Sequence, residues 1–118
     1  MICFDVYVNG NRVCRAGKEE MLVMNCIIDF CARSEHYPTD EIRLSVGGLF
    51  EHSGARVHPR WAERLELQPG DEVSVKVVEA ETADEPSHEV AYTMEDDLRS
   101  ERKHFEKLRA KFEGTGAD

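Results

Sequence analysis

Apolar and polar residues alternate along most of the chain, and this period of two predicts β-strands. In ICFDVYV, residues 2 to 8, Ile2, Phe4, Val6 and Val8 share one face while Cys3, Asp5 and Tyr7 share the other. Asn9-Gly10 comes next, a pair that accepts the positive φ angles of a tight hairpin, and Arg12 to Ala16 form the returning strand. Gly10-Asn11 is the alternative turn. With Asn9-Gly10 at the turn, Cys3 is expected opposite Ala16 and Asp5 opposite Cys14, so Cys3 and Cys14 do not face each other.

The most regular run is MLVMNCIIDFCAR, residues 21 to 33, in which Leu22, Met24, Cys26, Ile28, Phe30 and Ala32 fall on one face. A long strand with that face in the core is expected, with Met21, Val23, Asn25, Ile27, Asp29 and Cys31 on a mixed opposite face. A helix is the competing reading, and the β-branched content favours the strand. IRLSV, residues 42 to 46, alternates again before Gly47-Gly48, a pair suited to a bend, bulge or close backbone approach. EHSGARVHPRWAER, residues 51 to 64, contains Gly54 and Pro59 and reads as an excursion from the sheet. Pro69-Gly70 suits the centre of a type II turn, and Val73, Val75 and Val77 then alternate with Ser74, Lys76 and Val78.

The pattern changes after Glu79. Residues 79 to 97 hold eight Asp or Glu and no Lys or Arg, with Pro86 among them, and read as an acidic connector over 79–93 with a short edge strand around Val90 to Tyr92. Thr93-Met94-Glu95-Asp96 matches a capping box, and a helix is expected over 94–113, stopped by Gly114. Its apolar stripe is Leu98, Phe105, Leu108 and Phe112, interrupted by Arg102. Packing of the stripe on the protein's own sheet is the expected arrangement, with pairing to a second copy or a partner helix as the alternative. Residues 114–118 are expected to be a tail.

These elements define a mainly β, α+β protein: an antiparallel β-sandwich or partly open barrel with one C-terminal helix. The 118 residues suit a single domain spanning 1–113. No apolar run approaches the roughly 20 residues of a membrane-spanning helix, and MICFDVYVNG lacks a basic flank, so a cytoplasmic location without a secretory signal is expected. The formal net charge of -9 disfavours nucleic acid, whose phosphates attract Lys and Arg.

Candidate chemistry is sparse. The four cysteines form no C-x-x-C pair and lie early in the chain, which is poor zinc spacing. No H-E-x-x-H, G-x-S-x-G, Walker-type or G-x-G-x-x-G motif occurs. No catalytic residue, metal or cofactor is therefore assigned. A metal-dependent enzyme using His52, His58 and nearby carboxylates ranks last.

Two oppositely charged segments carry the functional expectations. Arg56, His58, Arg60, Trp61 and Arg64 form a basic, aromatic cluster suited to a small anionic ligand, because guanidinium forks recognise carboxylate and phosphate. Alternation in an extended segment puts residues 56, 58 and 60 on one face and Val57 on the other. The competing reading packs Trp61 into the sheet and pairs the arginines with Glu63, Glu66 or the acidic connector. Glu81, Asp84, Glu85 and Glu89 are candidate contacts for a basic protein partner, joined by the helix stripe of Leu98, Phe105, Leu108 and Phe112. If the connector folds over the basic cluster, both become internal structure. A non-catalytic interaction module, of adaptor, accessory or immunity type, with a protein partner or as a homodimer, is the leading expectation.

Overall fold

The computed structural model describes residues 1–115, except for the side chains of residues 93–97 and 112–115. The chain runs β1 (Ile2–Val8), β2 (Asn11–Ala16), β3 (Met21–Cys31), β4 (Glu41–His52), β5 (Ala55–Leu67), β6 (Val73–Glu79), β7 (His88–Thr93) and α1 (Met94–Thr115). The strands form two antiparallel sheets, a three-stranded one ordered β2-β1-β6 and a four-stranded one ordered β3-β4-β5-β7. The architecture is a two-sheet sandwich rather than a closed barrel.

Turn chemistry sets the hairpins. Asn9 and Gly10 both have positive φ, as do Ser53 and Gly54, and these two-residue turns join β1 to β2 and β4 to β5 with the twist that antiparallel strands require. At Pro69-Gly70, Gly70 has φ +95 and Asp71 N–H donates to the Gln68 carbonyl at 3.0 Å, closing the expected turn. The Asp71 carboxylate accepts from Gln68 N–H at 2.7 Å and from the Asn9 side-chain amide at 2.9 Å. Those bonds join the two turns and hold the Asp71 carboxyl below its usual pKa.

The sequence-based register of the first hairpin is overturned. Val8 pairs with Asn11 as expected, but a bulge leaves Val13 unpaired, so Asp5 faces Arg15 and Phe4 faces Ala16. The shift gives buried Asp5 a partner: Arg15 Nε donates to Oδ1 at 2.7 Å and Nη2 to Oδ2 at 3.0 Å. This fork lowers the Asp5 pKa against the opposing effect of burial.

The expected excursion at 51–64 is also overturned. β4 passes straight through Gly47-Gly48, and β5 is a thirteen-residue strand lying between β4 and β7. The glycines permit close approach of neighbouring strands: a Cβ on Gly47 would sit 2.7 Å from the Pro59 carbonyl oxygen, and one on Gly48 would collide with that of Val23. Pro59 is accommodated beside a register shift in the β4–β5 ladder, where Trp61 is the extra residue between the pairs Val46–Ala62 and Gly47–Arg60.

The core lies between the sheets, with Val6, Cys14 and Ala16 of the smaller sheet meeting Leu44, Val46, Trp61, Ala62 and Leu67 of the larger. The two sheets do not close over β3. Alternation assigns the inner face of β3 to the core, yet Leu22, Ile28 and Phe30 are 59%, 55% and 65% exposed; only Met24 and Cys26 of that face pack partly against the core.

The helix likewise departs from expectation. It meets the sheets at β7 and leaves its stripe unpacked, with Leu98, Phe105 and Leu108 all exposed. The radius of gyration is 18.6 Å, against about 13 to 14 Å for a compact chain of this length. The helix also continues through Gly114 to Thr115. The capping-box side chains of Thr93 and Asp96, the side chain of Phe112 and tail residues 116–118 lie outside the described residues.

Candidate functional site

Alternation along β5 divides the basic cluster between two environments. Val57, Pro59 and Trp61 are buried, while Arg56, His58 and Arg60 occupy the opposite, outward positions. Pairing of β5 with β7 places Tyr92 beside Arg56, Val90 beside His58 and His88 beside Arg60. The His58 and Tyr92 rings meet edge to face at 5.5 Å between centroids, and Arg60 lies over Gly47. Arg64 has φ +51 in a second bulge, where its N–H donates to Ser45 Oγ at 3.2 Å, and its exposed side chain lines a groove with Thr39, Glu41, Arg43 and Glu66. The structure thus brings Arg56, His58 and Arg60 to one face, separates Arg64 from them, and turns Trp61 inward.

The acidic connector covers Trp61 through its backbone. Trp61 Nε1–H donates to the Asp84 carbonyl at 2.7 Å, and Asp84 N–H donates to the Arg15 carbonyl at 3.0 Å. The Asp84 carboxylate in turn accepts from Arg15 N–H at 2.8 Å. Ser87 adds two bonds to the Arg60 carbonyl, from its N–H at 2.8 Å and its hydroxyl at 3.0 Å. Residues 80–87 therefore form a strap from the end of β6, past β2, onto β5, where β7 completes the sheet edge. Asp84 is a structural stitch. Glu81, Glu85 and Glu89 remain exposed, Glu89 lying 3.8 Å from the Lys18 ammonium.

Burial limits the cysteines. Cys3 and Cys14 are buried, and Cys26 and Cys31 are half-buried; all four are free. Burial pushes the Cys14 thiol up to about 11 and raises that of Cys26, which opposes thiolate formation. Cys31 accepts from Arg43 Nη2 at 2.9 Å. Among the described residues, no three His, Cys, Asp or Glu side chains gather as a metal-ligand set. Among those residues, too, no helix is long and apolar enough to cross a membrane.

An uncovered apolar surface lies where the sandwich gapes. On β6, Val75 and Val77 pair with Val6 and Phe4 and so share the core side of their sheet, yet they are 41% and 68% exposed. Across the gap, Ile28 and Phe30 pair with Leu44 and Ile42 and extend the core side of the larger sheet into the open. A groove of about 570 Å³ opens at one end of this lip, lined by Met1, Ile2 and Phe4 on one wall and Met21 to Met24 on the other. Val23 and Ile27, on the reverse face of β3, are exposed as well. Among the described residues, no strand pairs with the outer edge of β3. Sequence reasoning missed this surface because alternation identifies residues that share a face, not whether a second layer covers them. Comparison adds no relative: no family model, curated protein or solved structure matches the chain.

Proposed function

We propose that the protein is a non-catalytic interaction module that docks through the β3 side of its sandwich. The observation that supports this reading is the bare apolar edge itself: eleven residues without lysine, arginine or proline, with five large apolar side chains between 43% and 65% exposed. Natural sheets protect such edges with charge, proline or a covering segment, because unpaired N–H and C=O groups and apolar side chains recruit another chain. Site-specific photocrosslinking in cells tests the reading. A crosslinker at Ile28 is expected to give a discrete adduct that disappears with Phe30→Lys, whereas one at Glu63 on β5 gives none. Absence of the Ile28 adduct overturns it.

A second reading, an anion-binding face, is favoured by the shared outward positions of Arg56, His58 and Arg60 in an otherwise acidic chain. It expects phosphate or citrate to shift the ring resonances of His58 and His88, with smaller shifts in Arg60→Ala. Unchanged resonances contradict it.

A further inference from the structure

We infer that the occupant of the bare edge is β3 of a second copy of this chain, paired antiparallel about a two-fold axis at Cys26. This inference rests on the interaction-module reading and names its partner. β3 has the properties of a strand that can add to itself: it is eleven residues long, it ends a sheet, and Asp29 is its only charged residue.

The register is set by full overlap. Antiparallel pairing about Cys26 sets Cys26 opposite its own equivalent, Met24 opposite Ile28 and Val23 opposite Asp29 of the second copy, and brings Leu22, the extra residue of a bulge in the β3–β4 ladder, near Phe30. Apolar residues of the core-side face then meet only apolar residues. Each Asp29 meets a valine rather than the other Asp29, so the pairing creates no like-charge contact. An isologous contact of this kind closes on itself and produces a dimer, not a fibre.

Size and tethering favour this occupant over the helix. Leu22, Val23, Ile27, Ile28 and Phe30, at roughly half exposure and on both faces of the strand, offer at most on the order of 400 to 500 Å² of apolar surface per copy, so two copies offer about 800 to 1,000 Å², the lower limit of a specific contact. The described stripe of α1 is narrower, is interrupted by the Arg102–Glu106 pair at 3.8 Å, and leaves from β7 at the opposite edge of the sheet. A helix also leaves the unpaired backbone of β3 without a strand partner.

Light scattering on the full-length protein, with dissociation constants from sedimentation, provides the test. The expected mass is twice the 13.5 kDa of the chain. Phe30→Lys is expected to raise the dimer dissociation constant roughly tenfold or more, while Phe105→Glu on the helix leaves it unchanged. Circular dichroism of each variant checks that it folds. Val23 reads out the register: Val23→Lys places a cation opposite Asp29 and tightens the dimer, Val23→Glu places an anion there and loosens it, and the two differ by about threefold to tenfold. Equal loosening by both overturns the register. A dimer that survives Phe30→Lys and dissociates in Phe105→Glu overturns the β3 assignment. A single-chain mass together with an Ile28 adduct to a different protein overturns the second copy and keeps the interaction-module reading. A single-chain mass with no Ile28 adduct overturns both.

Discussion

At β7 the four-stranded sheet ends in six residues, with the strap bonded to Arg60 and Trp61 just before them and a helix directly after. At β3 the same sheet ends in eleven residues, with exposed apolar side chains on both faces and Asn25 and Asp29 on one of them, and no strand alongside among the described residues. The two edges border one core, so the difference lies in the segments the chain supplies beside each. The connector after β6 carries polar backbone and side-chain groups that reach β2 and β5, and it covers the core at Trp61 on the β7 side, although the outer edge of β7, like that of β3, has no strand beside it among the described residues. No comparable segment crosses β3 among the described residues, and the core-side valines of β6, Val75 and Val77, are left exposed on that side as well. A core face that the chain covers belongs to its fold; one that it leaves open is available to another molecule.

The contrast predicts unequal dependence of stability on the two sides. Trp61→Ala, which empties a buried site beneath the strap, is expected to destabilise the protein by about 3 to 5 kcal/mol. Phe30→Ala, at 65% exposure, is expected to change monomer stability by less than ~1 kcal/mol. Denaturant unfolding measures both, and comparable losses would erase the distinction between the edges.

Acid acts on the smaller sheet and the turn beneath it. The carboxyls of Asp5 and Asp71 both titrate below the usual 3.8 in the folded protein, so their contribution to stability is present above that value and is lost as pH falls through the lowered folded values. The thermal midpoint is expected to drop as pH falls from 4 to 2, and Asp5→Asn should flatten that drop. An unchanged slope in Asp5→Asn would show that the Asp5–Arg15 fork contributes nothing to acid sensitivity.

A smaller effect isolates the strap. Trp61→Phe keeps most of the buried ring and removes the N–H that reaches Asp84, at a cost of about 1 kcal/mol. Amide exchange should then quicken around residues 82–87 and not along β3. Smaller still is the effect on thiol chemistry: the Cys14 thiol, pushed up to about 11, is expected to resist alkylation at pH 8 while the protein remains folded. Rapid labelling under native conditions would contradict the closed core on that side.

Local chemistry makes much of the fold legible. Asn9-Gly10, Pro69-Gly70 and the alternating valines of β6 each carry their conformation in a few adjacent residues, and the short strand around Val90 to Tyr92 is visible despite its acidic surroundings. Pro59 and Gly47-Gly48 mislead because, read locally, they break strands; in the sheet they sit where a bulge and a close strand approach accommodate them. Ser53-Gly54, which turns β4 into β5, is hidden inside a segment that reads as an excursion. The Val13 bulge answers a non-local demand, the placement of Arg15 on Asp5. For the candidate site, alternation groups Arg56, His58 and Arg60 correctly. The Trp61–Asp84 bond spans 23 positions and leaves no local signal. The exposure of β3 is illegible for a similar reason: the pattern that marks a core face is the same whether or not a second sheet lies over it.

Hydrogen exchange measured against protein concentration tests the contrast between the two edges most directly. Amide protection in residues 21–31 is expected to rise as concentration increases from micromolar to hundreds of micromolar, while protection in residues 88–93 stays constant. Protection of β3 that is independent of concentration, or that rises equally at β7, would contradict an edge left open for a second copy.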